Sequence, residues 1–341
     1  MTGMEELAAR NVLTYSSIWR RRHPNYLDAS GSLTKDHHRK PIGIASFTLA
    51  TARAVRRSQP DLVLFLHVNL ARAAFLAKLL GVRRYAVTTY GIDVWTPLDP
   101  LRRRSLRKAS LVLTISQYTA ERLESVQHVT PQLIQVVPLA LEGHWRREAA
   151  LAQSAPAKHT RGRLLSVSRL DPEARAKGID DVIRVLPHIL LHVPPLEYHV
   201  VGEGTDLAYL EALATQCGVE HIVTFLGPVT HKQLVSEYTE ADIFVLPSAT
   251  EGFGLVFLEA MAHAKPVIAR RAGASPEVVD HGTTGCLIEN EAELASAIKD
   301  LLTNPARAAA MGKRGRERAD EVFSLTKFEN RLESALFTAL S

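Results

Sequence analysis

The feature that most constrains the fold is a strand, a glycine turn and a helix in direct succession from residue 241 onward. The apolar run at residues 243–246 is typical of a buried strand, and Pro247 ends it. The turn EGFG follows at residues 251–254, and a helix is predicted from Leu255. Free backbone N–H groups and the helix dipole point toward a ligand at such a turn. The stretch therefore predicts an α/β protein with a site for an anionic ligand.

Two carboxylates accompany this turn. Glu251 lies in the turn itself, and Glu259 follows about two helical turns later. We therefore expect the two side chains to line one face of a cleft at different depths. A carboxylate beside a phosphate site is a poor phosphate ligand but a good acceptor for sugar hydroxyls. The spacing thus predicts a ligand that carries both an anionic group and a sugar.

The segment PSATEGFGLVFLEAMAHAKPVIA, with Glu251 and Glu259 in E-x7-E spacing, resembles the signature of the family 4 glycosyltransferases. The resemblance covers nearly all of residues 160–340 and, more loosely, residues 42–140. It implies the GT-B fold, in which two Rossmann-like, doubly wound parallel-sheet domains face a cleft. It also implies transfer, with retention, of a hexose from a nucleotide-diphosphate sugar to a polysaccharide or lipid-linked acceptor. The alternative is an ordinary strand–turn–helix of a Rossmann-like half.

Strands and helices alternate in both halves of the chain, as a parallel sheet requires. This pattern predicts an acceptor-side domain at residues 1–142, a linker at 143–162 and a nucleotide-sugar domain at 163–320. A last helix at residues 321–341 is expected to pack back on the first domain. The opening strand and glycine-rich loop that the family usually has are not recognisable in the first 40 residues. We therefore expect the first unit to be either truncated or degenerate.

Ligands of such sheets bind beyond the carboxyl ends of the strands. Arg169 and Lys177 follow a strand that ends at Val167, and they match the R-L…K-G element of the family. Two fixed cations would oppose the charge that develops on a leaving diphosphate. With Glu251, which the resemblance places on the donor sugar, they form the predicted catalytic set. The remaining predicted donor-binding residues are Glu259, at the ribose, and Gly202, Gly204, Val229, Gly252, Phe253, Gly254 and Leu255.

Three residues of the first half are acceptor-side candidates. His67 ends a predicted strand, although a histidine there is more often structural. Tyr90 stands where family members often carry a histidine, and a tyrosine is a poor base at neutral pH. Asp93 is the nearest carboxylate in the sequence and has an alternative role as a cap of the following turn. The residues after these two strands therefore predict the acceptor side of the cleft.

The positive charge is concentrated in the first half of the chain. Residues 1–155 hold 22 Lys and Arg against 11 Asp and Glu, whereas the remaining residues hold 19 against 25. A solvated basic surface is one explanation. The other is reversible contact with an anionic membrane, for which a basic helix at residues 101–109 supplies several cations beside a narrow apolar strip. The second explanation predicts a peripheral enzyme at the inner membrane face that acts on a lipid-linked acceptor.

Several classes of protein are disfavoured by what the sequence lacks. Two cysteines give no disulfide framework, which suits the cytoplasm, and no secretory signal or membrane-spanning segment is recognisable. The chain has no Asp-x-Asp, so we predict no metal and no cofactor beyond a UDP-, GDP- or ADP-linked sugar. No nucleic-acid partner is expected.

Two other functions remain open. One is a non-catalytic GT-B relative that binds a nucleotide sugar or a partner protein, suggested by the weak first unit and by Tyr90. The other is a GT-B epimerase of nucleotide sugars, which needs an additional acid pair near the sugar. A dehydrogenase is disfavoured because no G-x-G-x-x-G follows the first strand.

Overall fold

The computed structural model describes residues 13–14, 44–58, 60–79, 82–141, 145, 147–149, 162–193 and 195–340. The chain forms two compact units. The first consists of Met1–Pro138 and Glu329–Ser341, and the second of Leu139–Phe328. Both units are α/β structures built on parallel sheets, which confirms the predicted fold class. No helix in the described ranges is both long and apolar enough to cross a bilayer.

The first unit contains a five-stranded sheet whose described strands are adjacent in chain order. Each neighbouring pair is parallel, with Val63 opposite Tyr85 and Val112 opposite Ile134. The strands are β1 (Leu13–Thr14), β2 (Val63–Phe65), β3 (Tyr85–Thr89), β4 (Leu111–Thr114) and β5 (Ile134–Val136). The helices are α1 (Ile44–Ser58), α2 (Ala71–Leu79), α3 (Ile92–Trp95), α4 (Pro100–Arg107) and α5 (Gln117–Ser125).

Helix α4 corrects one expectation from the sequence. Pro100 opens the helix, and the Asp99 side chain caps it by accepting the Arg102 N–H. The apolar strip predicted beside the cations consists of Leu101, Leu106 and Ala109; the structure buries Leu106 and Ala109 in the core of the first unit and leaves Leu101 partly exposed. The strip faces inward because it is the core-facing stripe of an amphipathic helix. The strip therefore offers a membrane no more than the partly exposed Leu101.

The second unit contains a six-stranded parallel sheet in the order β11-β10-β9-β6-β7-β8. Its strands are β6 (Gly162–Val167), β7 (Leu196–Val201), β8 (Val223–Gly227), β9 (Ile243–Leu246), β10 (Val267–Arg270) and β11 (Gly285–Ile288). The strand order reverses between the neighbours β6 and β9. Loops that leave these two strands diverge and open a crevice, which is where such sheets bind ligands.

Helices cover the second sheet, and the last helix of the chain ends in the first unit. They are α6 (Ile179–Leu190), α7 (Leu207–Gln216), α8 (His231–Glu240), α9 (Leu255–Ala262), α10 (Ser275–Val278), α11 (Glu291–Thr303), α12 (Pro305–Val322) and α13 (Leu325–Leu340). Residues 329–341 of the last helical segment group with the first unit. There the Arg84 guanidinium donates to the backbone carbonyls of Ala339, at 3.4 Å, and Leu340.

Part of the predicted linker packs on the second unit. Trp145 is buried, and its ring meets those of His231, Tyr238 and His263 edge to face, with centroids 4.7, 5.8 and 6.0 Å away. The Glu148 carboxylate lies 2.6 Å from the His231 ring. The predicted boundaries at residues 142 and 162 stay predictions, because residues 142–144 and 150–161 lie outside the described part of the chain.

Candidate active site

Three loops meet beyond the carboxyl ends of β6, β9 and β10. The Ala249 N–H, after β9, donates to the Ala176 carbonyl, after β6, at 2.7 Å. The Arg270 guanidinium, at the end of β10, donates to the Pro247 carbonyl at 3.1 Å and to the Asp181 carboxylate at 2.6 Å. These bonds hold the loops in fixed positions at the point where the strand order reverses.

Two of the predicted catalytic residues lie in contact at this point. The Lys177 Nζ donates to Glu251 Oε2 at 2.7 Å. The two side chains are largely shielded from solvent, with 24% and 11% of their surface exposed. Opposite charges at this distance in a half-buried site attract each other strongly. A fixed cation and a fixed carboxylate thus stand side by side where the ligand crevice opens.

The turn that carries Lys177 is fastened by residues that the sequence did not single out. The turn is a 3-10 helix, Pro172–Lys177, and its Arg175 forms a two-point contact with Asp206, with Nε–Oδ2 at 2.5 Å and Nη2–Oδ1 at 2.7 Å. Arg175 holds the pKa of the Asp206 carboxyl below its usual range. The guanidinium also lies over the Tyr209 ring, 4.4 Å from its centroid. Because Asp206 lies 31 residues from Arg175, no local motif reports this contact.

Arg169 stands apart from the ion pair. Its side chain is 78% exposed, and its guanidinium lies 3.8 Å from the Asp171 carboxylate. A long, exposed cation beside the crevice can swing toward an anionic ligand at little energetic cost. The structure therefore places one largely shielded cation, Lys177, and one exposed cation, Arg169, on the same loop.

The backbone of Glu251 is held by the loop that follows β10. The Ala274 N–H donates to the Glu251 carbonyl at 2.8 Å. Gly273 has a φ of 57°, and a Cβ there would lie 2.5 Å from the same carbonyl oxygen. Only glycine allows this close approach in the left-handed conformation. The glycine loop thus holds the backbone of Glu251 in place.

Gly202 and Gly204 have a local reason to be glycine. The loop after β7 lies against the loop after β6, where the Leu170 N–H donates to the Glu203 carbonyl at 2.9 Å. A Cβ on Gly202 would overlap the Ser168 carbonyl, and one on Gly204 would overlap the Leu170 carbonyl. The two glycines thus let the loops pack backbone to backbone, whether or not a nucleotide also approaches them.

The turn EGFG presents its backbone rather than its aromatic ring. Phe253 is buried and packs edge to face on Phe323, with centroids 5.7 Å apart. Gly254 is the N-cap of α9, and Leu255 is 40% exposed. The Phe257 N–H of the first turn donates to the Gly254 carbonyl at 2.9 Å. The N–H groups of Leu255 and Val256 have no acceptor among the described residues, so they are available to an anion. The other two predicted donor contacts, Gly252 and Val229, are partly exposed.

Glu259 lies on α9, in the second turn of that helix. Its Oε2 accepts a hydrogen bond from the Tyr238 hydroxyl at 2.7 Å. Burial raises the pKa of the Glu259 carboxyl, whereas the Tyr238 hydrogen bond and the charge of His231 lower it. The sequence analysis did not single out Tyr238. The available signal was an aromatic residue with a polar tip on the inner face of α8, because a buried tyrosine hydroxyl normally finds a partner.

The three acceptor-side candidates lie together in the first unit. The His67 and Tyr90 rings stack with centroids 5.9 Å apart. His67 Nδ1 accepts the Asn69 N–H at 3.0 Å, so the neutral ring carries its proton on Nε2. The Tyr90 N–H donates to both Asp93 oxygens, at 3.0 and 3.3 Å. Burial raises the pKa of Asp93, and this effect is opposed by the Tyr90 N–H and by His67.

The whole chain resembles known glycosyltransferases. The sequence pattern of the family described as "Glycosyl transferases group 1" matches residues 148–318, and that of "Glycosyltransferase Family 4" matches residues 5–142. A GDP-mannose-dependent alpha-(1-6)-phosphatidylinositol monomannoside mannosyltransferase of Mycobacterium tuberculosis is 34% identical over 264 residues, which cover 73% of this chain and 68% of that protein. A GDP-mannose-dependent monoacylated alpha-(1-6)-phosphatidylinositol monomannoside mannosyltransferase of Corynebacterium glutamicum is 32% identical, over 84% of this chain and 79% of its own length.

Solved structures show the same fold. HepE of Anabaena, in complex with UDP and glucose, superposes with a TM-score of 0.74 at 20% identity and covers 96% of this chain and 99% of HepE. Sucrose-phosphate synthase from Thermosynechococcus elongatus gives a TM-score of 0.72 at 24% identity, with coverage of 87% and 78%. The chain therefore belongs to glycosyltransferase family 4, and it is a retaining hexosyltransferase of the GT-B fold that uses a nucleotide-sugar donor.

Proposed function

We propose that the protein transfers mannose, with retention, from GDP-mannose to a mannosylated phosphatidylinositol. The support for the donor and the acceptor comes from the relatives. Four curated relatives from three organisms, 32–34% identical to this chain, are named for GDP-mannose and for a phosphatidylinositol monomannoside. A glycolipid acceptor also suits the excess of positive charge in the first half of the chain.

The observation that carries the donor site is the contact between Lys177 and Glu251 at 2.7 Å. In this proposal Lys177 and Arg169 bind the diphosphate, and Glu251 accepts hydrogen bonds from the mannose hydroxyls. Glu259 accepts those of the ribose, and the EGFG turn offers backbone N–H groups. A cation next to a carboxylate suits a ligand in which a phosphate is bonded directly to a sugar.

These residues favour departure of the diphosphate. The acceptor oxygen bonds to the anomeric carbon on the face that the diphosphate leaves, while the bond from that carbon to the phosphate oxygen breaks. The proton of the acceptor hydroxyl passes to the departing phosphate oxygen, so no enzymic base is required. Lys177 and Arg169 oppose the negative charge that develops, which is the electrostatic contribution that enzymes use most.

The acceptor side in this proposal consists of His67, Tyr90 and Asp93. The Nε2–H of His67 and the Tyr90 hydroxyl are donors that suit the hydroxyls of a glycan. Asp93 fixes the backbone of Tyr90 through both of its oxygens. Tyr90 thus takes the place of the histidine that the family often has, and it serves as a hydrogen-bond donor rather than as a base.

Membrane contact is assigned in this proposal to α1 instead of α4. Leu49 is 49% exposed, and Arg53, Arg56 and Arg57 are exposed on the same helix. Their spacing of four, seven and eight residues from Leu49 places them on one face. An anionic bilayer attracts each such cation by about 1 kcal/mol, in a way that salt screens. The enzyme would then work as a peripheral protein at the cytoplasmic membrane face.

Stabilisation by donors tests the proposed nucleotide. A ligand that binds only the folded state, at about 100 times its dissociation constant, adds about 2.7 kcal/mol to the free energy of unfolding. We expect GDP-mannose to raise the thermal midpoint at lower concentrations than UDP-glucose or ADP-glucose. A larger rise of the thermal midpoint with either of the other two sugars, measured in the same buffer, would show that the donor carries a different nucleobase.

Replacement of Lys177 tests the diphosphate site. Lys177→Ala should lower turnover by roughly 10²–10³, since it removes one charge that opposes the leaving group. The matched control is Lys313→Ala, because Lys313 is an exposed lysine on α12 of the same unit, with 79% of its side chain exposed. Circular dichroism checks that both variants fold. Near-normal turnover of a folded Lys177→Ala protein would remove this lysine from the site.

Sedimentation with liposomes tests the membrane face. The triple variant Arg53→Gln, Arg56→Gln and Arg57→Gln should remain in the supernatant at low salt with vesicles rich in anionic lipid, whereas the wild type sediments with them. The control, Lys313→Gln with Arg314→Gln, removes exposed charges from the second unit and should behave as the wild type. Equal recovery of the wild type with neutral and anionic vesicles at low salt would contradict the membrane assignment.

A further inference from the structure

Tyr238 connects α8 to Glu259, the carboxylate of the site that lies on α9. The tyrosine side chain is fully buried, and its hydroxyl donates to Glu259 Oε2 at 2.7 Å. Burial raises the pKa of the Tyr238 hydroxyl well above its usual value, and the charge of Glu259 adds to this effect. The phenol therefore stays protonated at every pH at which the protein works. Tyr238 is the donor and Glu259 the acceptor.

The Tyr238 ring is held on three sides by other rings. It stacks on His263, with centroids 5.3 Å apart and an interplanar angle of 19°. Phe244 lies 5.7 Å away, and Trp145 meets the ring edge to face at 5.8 Å. A ring packed in this way has one available rotamer, so the direction of its hydroxyl is fixed before any ligand arrives. This hydroxyl binds one Glu259 oxygen, and the second oxygen has no hydrogen-bond partner among the described residues.

Among the described residues, the titratable groups near Glu259 lie on α8 and at the end of α9. On α8, Tyr238 and His231 lower its pKa against the effect of burial, and His231 is itself 2.6 Å from the Glu148 carboxylate. His263, which follows α9, contacts the Glu259 backbone carbonyl through Nδ1 at 2.8 Å. Burial lowers the pKa of His263, and the contact with the Glu259 carbonyl raises it. The charges of Lys265 and, on α12, Arg316 lower this pKa further, whereas the charge of Glu148 raises it.

We propose that Tyr238 is a positioning residue for the nucleotide: its hydroxyl binds one oxygen of Glu259 and keeps the carboxylate in one orientation, so that the second oxygen accepts the ribose hydroxyls. The proposal rests on the ribose role given to Glu259 under the proposed function. It adds a residue that touches no substrate and acts only through the carboxylate. It also makes nucleotide affinity depend on pH in a way that the tyrosine controls.

The sign of this dependence follows from the carboxyl. Above its pKa, Glu259 is ionised and accepts hydrogen bonds from the ribose hydroxyls. Nucleotide affinity is therefore lost as the pH falls through that pKa. Removing the Tyr238 hydroxyl removes an interaction that lowers the pKa of Glu259, so the pKa rises. The Tyr238→Phe protein should therefore lose nucleotide at a higher pH than the wild type.

Calorimetric titration with GDP and with UDP, from about pH 5 to about pH 8.5, measures this shift; both nucleotides contain the ribose and the diphosphate. In Tyr238→Phe we expect the midpoint of the acid loss to rise by about one pH unit, which is tenfold in affinity below that midpoint. Titration of the diphosphate itself is common to all variants and cancels in their ratio. The matched control is Tyr198→Phe, which loses another fully buried hydroxyl, one that lies 2.8 Å from Ser166 Oγ. Its midpoint should equal that of the wild type.

Two further variants separate the possible failures. If Glu259→Gln weakens both nucleotides but Tyr238→Phe keeps the wild-type midpoint, Tyr238 has no positioning role and the proposal is wrong. If Glu259→Gln binds GDP and UDP as tightly as the wild type does, Glu259 does not bind the ribose, and the proposal for Tyr238 is wrong as well. The Tyr238→Phe shift should persist in the His231→Gln background. Its disappearance there would assign the effect to His231 instead.

A second measurement keeps the test decisive if Tyr238→Phe does not fold. Biosynthetic 3-fluorotyrosine leaves the ring in place and makes its hydroxyl more acidic, hence a better donor. The acid midpoint should then move to lower pH in the wild-type sequence and show no such movement in Glu259→Gln. An unchanged midpoint in the labelled wild-type sequence would overturn the proposal.

Discussion

The contact between Lys177 and Glu251 is the interaction on which the rest of the second unit's site depends. It joins residues 74 positions apart, from the loops that leave the two neighbouring strands β6 and β9. Partly buried ion pairs lose solvation when they form, and removal of one partner leaves the other charge uncompensated. The surrounding backbone contacts, from Ala249 to Ala176 and from Ala274 to Glu251, hold the loops so that the pair forms.

In the proposed function, the same contact explains why the sugar phosphate binds at this point. In the proposed function the diphosphate takes over part of the charge of Lys177, and Glu251 turns its lone pairs to the sugar hydroxyls. The cation and the carboxylate then each exchange one partner for another, so the ligand enters without leaving a buried charge unpaired. In the further proposal, Tyr238 has the corresponding role for Glu259, because its hydroxyl binds the carboxylate oxygen that does not bind the ribose. Both carboxylates are thus prepared in advance, which lowers the entropic cost of binding.

Local patterns in the sequence predicted the parallel sheets and the turn at residues 251–254, and they singled out Lys177, Glu251 and Glu259 as candidates, because each is defined by its immediate neighbours. The partners of these residues were not predictable in the same way. Tyr238 lies 21 residues from Glu259, and only the packing of α8 beside α9 brings them together. The apolar strip of α4 was misassigned for a related reason: a stripe of Leu106 and Ala109 has the same spacing whether it faces a core or a membrane. The burial of these residues distinguishes a core-facing stripe from a membrane-facing one, and burial cannot be read directly from a single sequence.

The central claim is that the chain transfers mannose from GDP-mannose without inverting its configuration. Incubation of the purified protein with GDP-mannose and a phosphatidylinositol monomannoside, followed by NMR of the extracted glycolipid, measures the configuration of the new linkage directly. GDP-mannose carries the α anomer, so retention predicts a single new α-mannosyl signal whose intensity grows with time and with enzyme. A new β linkage would contradict retention, and an unchanged acceptor beside intact GDP-mannose would contradict the proposed donor and acceptor.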